Sequence, residues 1–245
     1  MKYMGSKNRI AKYIVPILEK AYHDNECEIF IDACCGGCNL IDKIDPIIPR
    51  YANDYNEFLI EMWKGLQKGV SYPTEIDKSL YNSARDAFNG KENIMNLSKD
   101  MLGWIGFMAS YNGRFFDGGY SGHNVEVKDG KNRDYILENI NNILNQHQNL
   151  EGVKFSNKSL FDLNPTKKSL IYFDIPYKNT KQYSISKDFD YENFYEKCIE
   201  LKEQGHIVFV SEYRMPSDFR YVWSKEIKTH MNQKAEDRVE KLFTL

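Results

Sequence analysis

Apolar residues fall into two rhythms along the chain, short unbroken runs and stripes spaced three or four apart. The runs read as buried strands. They cover residues 28–33 (EIFIDA), the start of 50–56 (RYANDYN), 153–155 (VKF), 170–173 (LIYF) and 206–211 (HIVFVS). Residues 221–227 and 242–245 suit a closing antiparallel pair. The stripes predict helices. Ile10, Ile14, Ile17, Leu18 and Ala21 share one helical face, with Ser6 placed to cap it and Pro16 to kink it. Leu59, Met62, Trp63 and Leu66 line a second helix over 57–67, and Phe194, Cys198 and Leu201 mark another that ends at Gly205. Residues 39–41, just after the first strand, read as a further helix start.

Strands alternating with helices predict an α/β fold with a parallel sheet. Between residues 71 and 148 the strand signals stop. Three helical faces replace them: Ile76, Leu80, Ala84 and Ala87; Met101, Leu102, Ile105, Met108 and Ala109; Tyr135, Ile136, Ile140, Ile143 and Leu144. The expected organisation is a core made of 1–70 and 149–245, with 71–148 inserted as a small helical subdomain.

Open α/β sheets bind ligands at the carboxyl edge of their strands, so the chemistry is sought there. The run 170–173 ends in Asp174-Ile175-Pro176-Tyr177. Asp174 offers an acceptor, Pro176 stiffens the turn and holds Ile175 extended, and Tyr177 offers a flat face. That set suits an amino group on an aromatic ring. The first strand runs through Asp32 into Cys34-Cys35-Gly36-Gly37-Cys38, a glycine-bearing turn that lets a ligand approach the backbone. Asp54 ends the second strand at the distance where such folds bind a ribose, with Tyr55 beside it to pack on a base; Asp54 also reads as a cap for the following helix. Neither G-x-G-x-x-G nor a P-loop is present, which removes the dinucleotide and phosphate-loop readings.

Composition changes this picture little. At 42% hydrophobic and 28% charged residues the chain is globular, with no run long enough to span a bilayer and no secretory leader at its start, so a cytoplasmic, reducing location is expected. The five cysteines are then thiols, and their spacing lacks the four ligands zinc wants. None of the five histidines has a ligand-like or triad-like neighbour, and no metal is expected. A net charge of −2 gives no global sign of a polyanion partner, so any basic footprint must be local. The segment 111–122 (YNGRFFDGGYSG) is too glycine-rich for a helix and too aromatic for a plain linker. Asn112 and Arg114 have side chains that pair base edges, and Phe115 and Tyr120 can stack or wedge; a hairpin packed on its own subdomain is the alternative.

The motif Asp174-Ile175-Pro176-Tyr177 resembles the D-P-P-Y of adenine-specific amino DNA methyltransferases, with Ile175 in place of the first proline. Tyr3, Gly5 and Lys7 match the K-[YW]-x-G-x-K opening of the Dam type, and Asp32, Cys34 and Gly36 its acid-F-x-G-x-G loop, Cys38 replacing the second glycine. Residues 81–89, with Arg85, are similar to a Y-x-x-x-R-x-x-F-N of the same family's recognition domain. The motif order is that of the alpha group. The resemblance implies a Rossmann-like S-adenosylmethionine-dependent methyltransferase core with a helical target-recognition insertion, acting on adenine N6 in double-stranded DNA without an obligate protein partner. It implies donor contacts at Tyr3, Gly5, Lys7, Asp32, Cys34, Gly36, Asp54, Tyr55 and Asp174, and a turn at 159–162 edging the donor's adenine pocket. It also implies a loop with Asn179, Thr180 and Tyr183 that closes over a flipped base, and DNA contacts at Arg85, Asn112, Arg114, Phe115 and Tyr120. The alternatives are transfer to cytosine N4, where Ser is commoner at the first motif position; to RNA or protein amides, where Asn is; and a DNA-binding module with a degenerate pocket.

Overall fold

The computed structural model describes residues 1–91, 94–127, 130–178, 189–229 and 236–245, side chains at 227–229 and 236–238 excepted. Its centre is a seven-stranded sheet in the order β5-β2-β1-β6-β7-β9-β8. The strands are β1 (Ile29–Asp32), β2 (Arg50–Asn53), β5 (Lys154–Ser156), β6 (Ser169–Phe173), β7 (Ile207–Glu212), β8 (Arg220–Thr229) and β9 (Glu236–Thr244). β5, β2, β1, β6 and β7 are parallel. β9 runs antiparallel between β7 and β8. The chain winds outward from β1 to β2 and β5, then returns to β6, so the strand order reverses between β1 and β6. In register, Asp32 pairs with Ala52 on one side and Tyr172 on the other, which brings the carboxyl ends of β1, β2 and β6 to one edge.

Alternation along the strands explains why both faces are covered. Phe30, Leu170, Tyr172, Phe209 and Leu242 face one hydrophobic cluster, which also takes in α1 (Asn8–Asp24) and α2 (Glu57–Gln67). Ile31, Ile171, Phe173, Val208, Val210 and Phe243 face the other, closed by Phe194, Cys198 and Leu201 of α6 (Tyr191–Glu203).

Residues 71–148 contribute α3 (Lys78–Phe88), α4 (Lys99–Ala109), α5 (Tyr135–His147) and a two-stranded ribbon of β3 (Val125–Glu126) and β4 (Asn132–Arg133). The helices share the first cluster with α1, α2 and the sheet. α4 lies so close to α2 that a Cβ on Gly103 would stand 2.2 Å from the Phe58 carbonyl oxygen.

Several local expectations are corrected. The helix expected from residues 39–41 is a single 3-10 turn, Ile41–Lys43. Pro46 and Pro49 follow too soon for a helix to extend, while Ile44 and Ile48 are buried. Lys7, not Ser6, occupies the cap position of α1; the Ser6 hydroxyl accepts from the Asn8 N–H at 3.3 Å. Leu144, placed on the apolar face of α5, is 42% exposed, and Ile76 is buried but precedes α3.

Candidate active site

Every residue of β6 is buried, so the strand is a rigid stem for the turn that follows it. Ile175 anchors that turn in the second cluster. The Tyr191 hydroxyl donates to the Pro176 carbonyl at 2.9 Å, and the Lys178 N–H donates to Glu212 Oε2 at 2.9 Å. Glu212, 1% exposed at the end of β7, also accepts from the Tyr213 N–H at 2.6 Å. Burial pushes its carboxyl up to about 7 despite those two N–H bonds.

Asp174 stands at the mouth of the β6 stem. Its Oδ1 lies 2.6 Å from the Lys7 ammonium, which reaches in from the N-terminal segment and also donates to the Gly5 carbonyl at 3.3 Å. Burial raises the Asp174 carboxyl to about 6, with Lys7 pulling it down and Glu240 and Asp54 adding to the rise. For Lys7, burial alone would lower the ammonium; Asp174 and then Glu240 outweigh it and hold the group above its usual value. The Lys7 ammonium also lies 4.6 Å from the centre of the Tyr177 ring. Tyr177 donates its hydroxyl to Glu240 Oε2 at 2.6 Å and meets the Tyr213 ring edge-on at 4.5 Å.

The neighbouring strands supply a second pocket wall. Gly36 has φ +47, and a Cβ there would come within 2.6 Å of the Tyr3 ring, so the glycine turn and the N-terminal segment fit only because Gly36 has no side chain. Cys38, where the related loop has glycine, adopts φ 55, the left-handed conformation that glycine takes without strain. Asp54 accepts from the Gly36 N–H and the Asn56 N–H, each at 2.9 Å, which fixes the carboxylate beside the glycine turn. Its expected capping of α2 is corrected: the Asn56 side chain accepts from the Leu59 N–H and caps the helix. Tyr55, next to Asp54, is 70% exposed. Asp32 is 2% exposed, and its Oδ1 has no hydrogen-bond partner among the described residues. Burial, with Asp174 and Asp54 close by, holds its carboxyl well above the usual range. Gly5 at φ +80 turns the chain between Tyr3 and Lys7. The segment 159–162 forms a 3-10 turn at Leu160–Asp162. Cys34 is half-buried beside this wall, and all five cysteines are free thiols.

A glycine turn under an aromatic ring, a fixed carboxylate at the end of β2 and an exposed tyrosine beside it match the needs of S-adenosylmethionine: room at the backbone, an acceptor for ribose hydroxyls and a face for adenine. Of the two buried acids, Asp174 is already paired with Lys7, whereas Asp32 Oδ1 has no hydrogen-bond partner among the described residues and a cationic donor nearby would favour its ionised form.

The five residues expected to face DNA are separated by the structure. Asn112 is exposed at φ 54 in the turn Tyr111–Gly113, and Tyr111 beside it, which the sequence did not single out, is exposed as well. Arg114 is half-buried, with its Nε unpartnered among the described residues. Arg85 lies 5.9 Å from the Tyr81 ring on α3. Phe115 instead packs among Phe58, Phe88, Phe107 and Phe116, and Tyr120 donates its hydroxyl to the Ile76 carbonyl at 2.7 Å. An antiparallel bridge from Ser110 to Tyr120 closes the segment like a hairpin. Asn179, Thr180 and Tyr183 lie outside the described residues.

Glu212 and Glu240 were not visible as functional residues in the sequence. An acid directly after the apolar run 207–211 was a usable signal for Glu212, the same signal that marks Asp174. Glu240 reaches the site only through the antiparallel pairing of β9 with β7 and β8, which no local pattern encodes.

A mostly parallel sheet with a glycine turn, a ribose-type acid and an Asp-Ile-Pro-Tyr turn along one edge defines a Rossmann-like enzyme that takes a nucleotide-like donor and a planar amine. A family model described as D12 class N6 adenine-specific DNA methyltransferase matches residues 3–241, and the chain belongs to that family. It transfers the methyl group of S-adenosylmethionine to adenine N6 in DNA. A solved structure, described as "putative methylase HI0767 from Haemophilus influenzae", aligns over 97% of this chain and 86% of its own at 9% identity and a TM-score of 0.33. No curated protein matches the chain by sequence. Among the described residues no helix is long and apolar enough to cross a membrane, and no group of His, Cys, Asp or Glu is arranged to hold a metal.

Proposed function

We propose that Asp174 and the Ile175 carbonyl accept the two N–H bonds of the target amine, that Tyr177 stacks on its ring, and that Pro176 holds the three in place. The observation that carries this is the turn after β6, fixed from beneath by Tyr191 and Glu212 and aimed at the edge where β1, β2 and β6 end together. Bound S-adenosylmethionine supplies an electrophilic methyl group on a sulfonium. Tyr3, Gly5, Asp32, Cys34, Gly36, Asp54 and Tyr55 form the wall that receives the donor, alongside Asp174.

The N6 lone pair is delocalised into the purine, so the amine is a weak nucleophile. Two acceptors on its hydrogens hold the nitrogen in place and favour the charge it gains, and the rate comes from alignment and polarity. Asp174 is the stronger acceptor when ionised, so the rate should fall as pH drops through about 6. An adenine inside a duplex cannot reach this turn, so it leaves the stack, at a cost on the order of a few kcal/mol. The substrate is then double-stranded DNA, with 71–148 as the target-recognition segment and Asn112, Arg114 and Arg85 at the nucleic acid. Free, largely buried thiols suit a reducing, cytoplasmic setting.

Nucleoside mass spectrometry on mixed-sequence DNA incubated with protein and S-adenosylmethionine tests the assignment. Wild type makes N6-methyladenine; Asp174→Ala, checked as folded by its melting curve, makes none while retaining part of its donor binding in calorimetry. Turnover near wild type in that variant would sink the assignment of Asp174.

A further inference from the structure

The Lys7 ammonium stands where an amine would stand. It is 2.6 Å from Asp174 Oδ1 and 4.6 Å from the centre of the Tyr177 ring, on a side chain only 9% exposed. A charged NH donor on that carboxylate, over that ring, repeats both contacts assigned above to the target adenine. An amine accepted by Asp174 with its ring stacked on Tyr177 needs the same space. We propose that Lys7 is the placeholder of the target base: its ammonium fills the amine position in the free enzyme and turns away toward Glu240 when adenine enters. The inference rests on the proposed roles of Asp174 and Tyr177.

The groups around Lys7 support such an exchange. Asp174 faces it from the end of β6, Glu240 from β9, Tyr213 from beyond β7, and the Gly5 carbonyl from its own segment. Glu240 is the second carboxylate that stabilises the ammonium, and it already holds the Tyr177 hydroxyl. A short swing therefore keeps Lys7 near a counter-charge. In the free enzyme the ammonium also keeps Asp174 ionised against its burial, so the acceptor is ready when the base arrives. Entry then requires a ligand that offers both N–H donors and a ring, which discriminates against water and simple cations.

Single-turnover methylation of sheared genomic DNA by the full-length protein, beside donor calorimetry, tests this. At pH 8.5, where Asp174 is ionised, Lys7→Met removes the competitor, and the DNA concentration giving half the maximal rate should fall about threefold or more. Lys7→Arg, whose planar fork grips a carboxylate more firmly, should raise it by a similar factor. Donor affinity should stay within about threefold in both, since the exchange occurs on the base side. In Lys7→Met the acidic limb of the rate per DNA concentration should also move up by about one pH unit, because Asp174 has lost its cation. A tenfold or greater loss of donor affinity with unchanged half-saturation would make Lys7 a donor ligand and overturn the placeholder role, as would wild-type behaviour of both variants. If Lys7→Met does not fold, the Lys7→Arg shift alone decides. Wild-type protein that makes no N6-methyladenine would fail the functional reading itself, before any variant is compared.

Discussion

Tyr177 is held at both ends, by Glu240 at its hydroxyl and by Tyr213 and Lys7 around its ring. Removing the hydroxyl and removing the ring should therefore separate. Tyr177→Phe loses one charge-assisted bond, roughly 1–3 kcal/mol of stability in a denaturant titration, and keeps a stacking face. Tyr177→Ala loses the face, and the DNA concentration for half-maximal rate should rise about tenfold or more. Equal effects of the two would show that the ring does not meet the base. The acids have their own signature. Asp174 and Glu212 sit at about 6 and about 7 in the folded protein, above their ordinary 3.8 and 4.5. The folded state thus holds protons that the unfolded chain has released between about pH 4 and 7. Their stabilising effect is full below that window and is lost as pH rises through it. The melting temperature should fall between pH 5 and 8, and Glu212→Gln should flatten the decline; an unchanged slope would mean other groups set it. These perturbed groups were partly legible. Asp174, Asp54 and Asp32 each sit at or just after the end of a strand-like run, whereas the ion pair of Lys7 with Asp174 joins residues far apart in the chain and no local pattern announces it.

Among elements, the central strands β1, β6 and β7 were the easiest to read, since burial on both faces gives each a nearly continuous apolar run. α2 matched its stripe from Glu57 to Gln67 for the complementary reason, a single buried face with a side-chain cap at Asn56. The misread helix after β1 shows the limit of local pattern. Leu40 and Ile41 are apolar enough to begin a helix, but their burial is satisfied by one turn and the prolines that follow. The aromatic loop shows a related limit, because side chains with the chemistry for stacking on bases can equally pack inside the protein, as Phe115 does against Phe58, Phe88, Phe107 and Phe116 and Tyr120 against Tyr81. The α2–α4 contact is the tightest of the helical joints and makes its own prediction. Gly103→Ala would place a methyl group 2.2 Å from a backbone oxygen that cannot rotate away. Thermal denaturation should register a loss of roughly 1–3 kcal/mol, despite alanine's better helix propensity. A variant as stable as wild type would mean that the two helices can slide apart.

Across the whole molecule, a net charge of −2 means that binding to DNA has to be local. If Arg114 meets a phosphate, Arg114→Ala should weaken binding to all sequences alike and lower the slope of log affinity against log salt by about one, as measured by fluorescence anisotropy. A loss confined to some sequences would place it on a base edge instead. The layout also bears on how such enzymes can be rebuilt. Gly113, in the loop proposed for DNA, packs so closely on the N-terminal segment that a Cβ there would stand 2.3 Å from the Lys2 carbonyl oxygen, one residue before Tyr3. Grafting residues 71–148 onto another enzyme would thus set a foreign loop against an N-terminal segment cut for a different partner. The unit that can be exchanged is discontinuous, and an engineer seeking a new target site would have to move the first seven residues with the insertion.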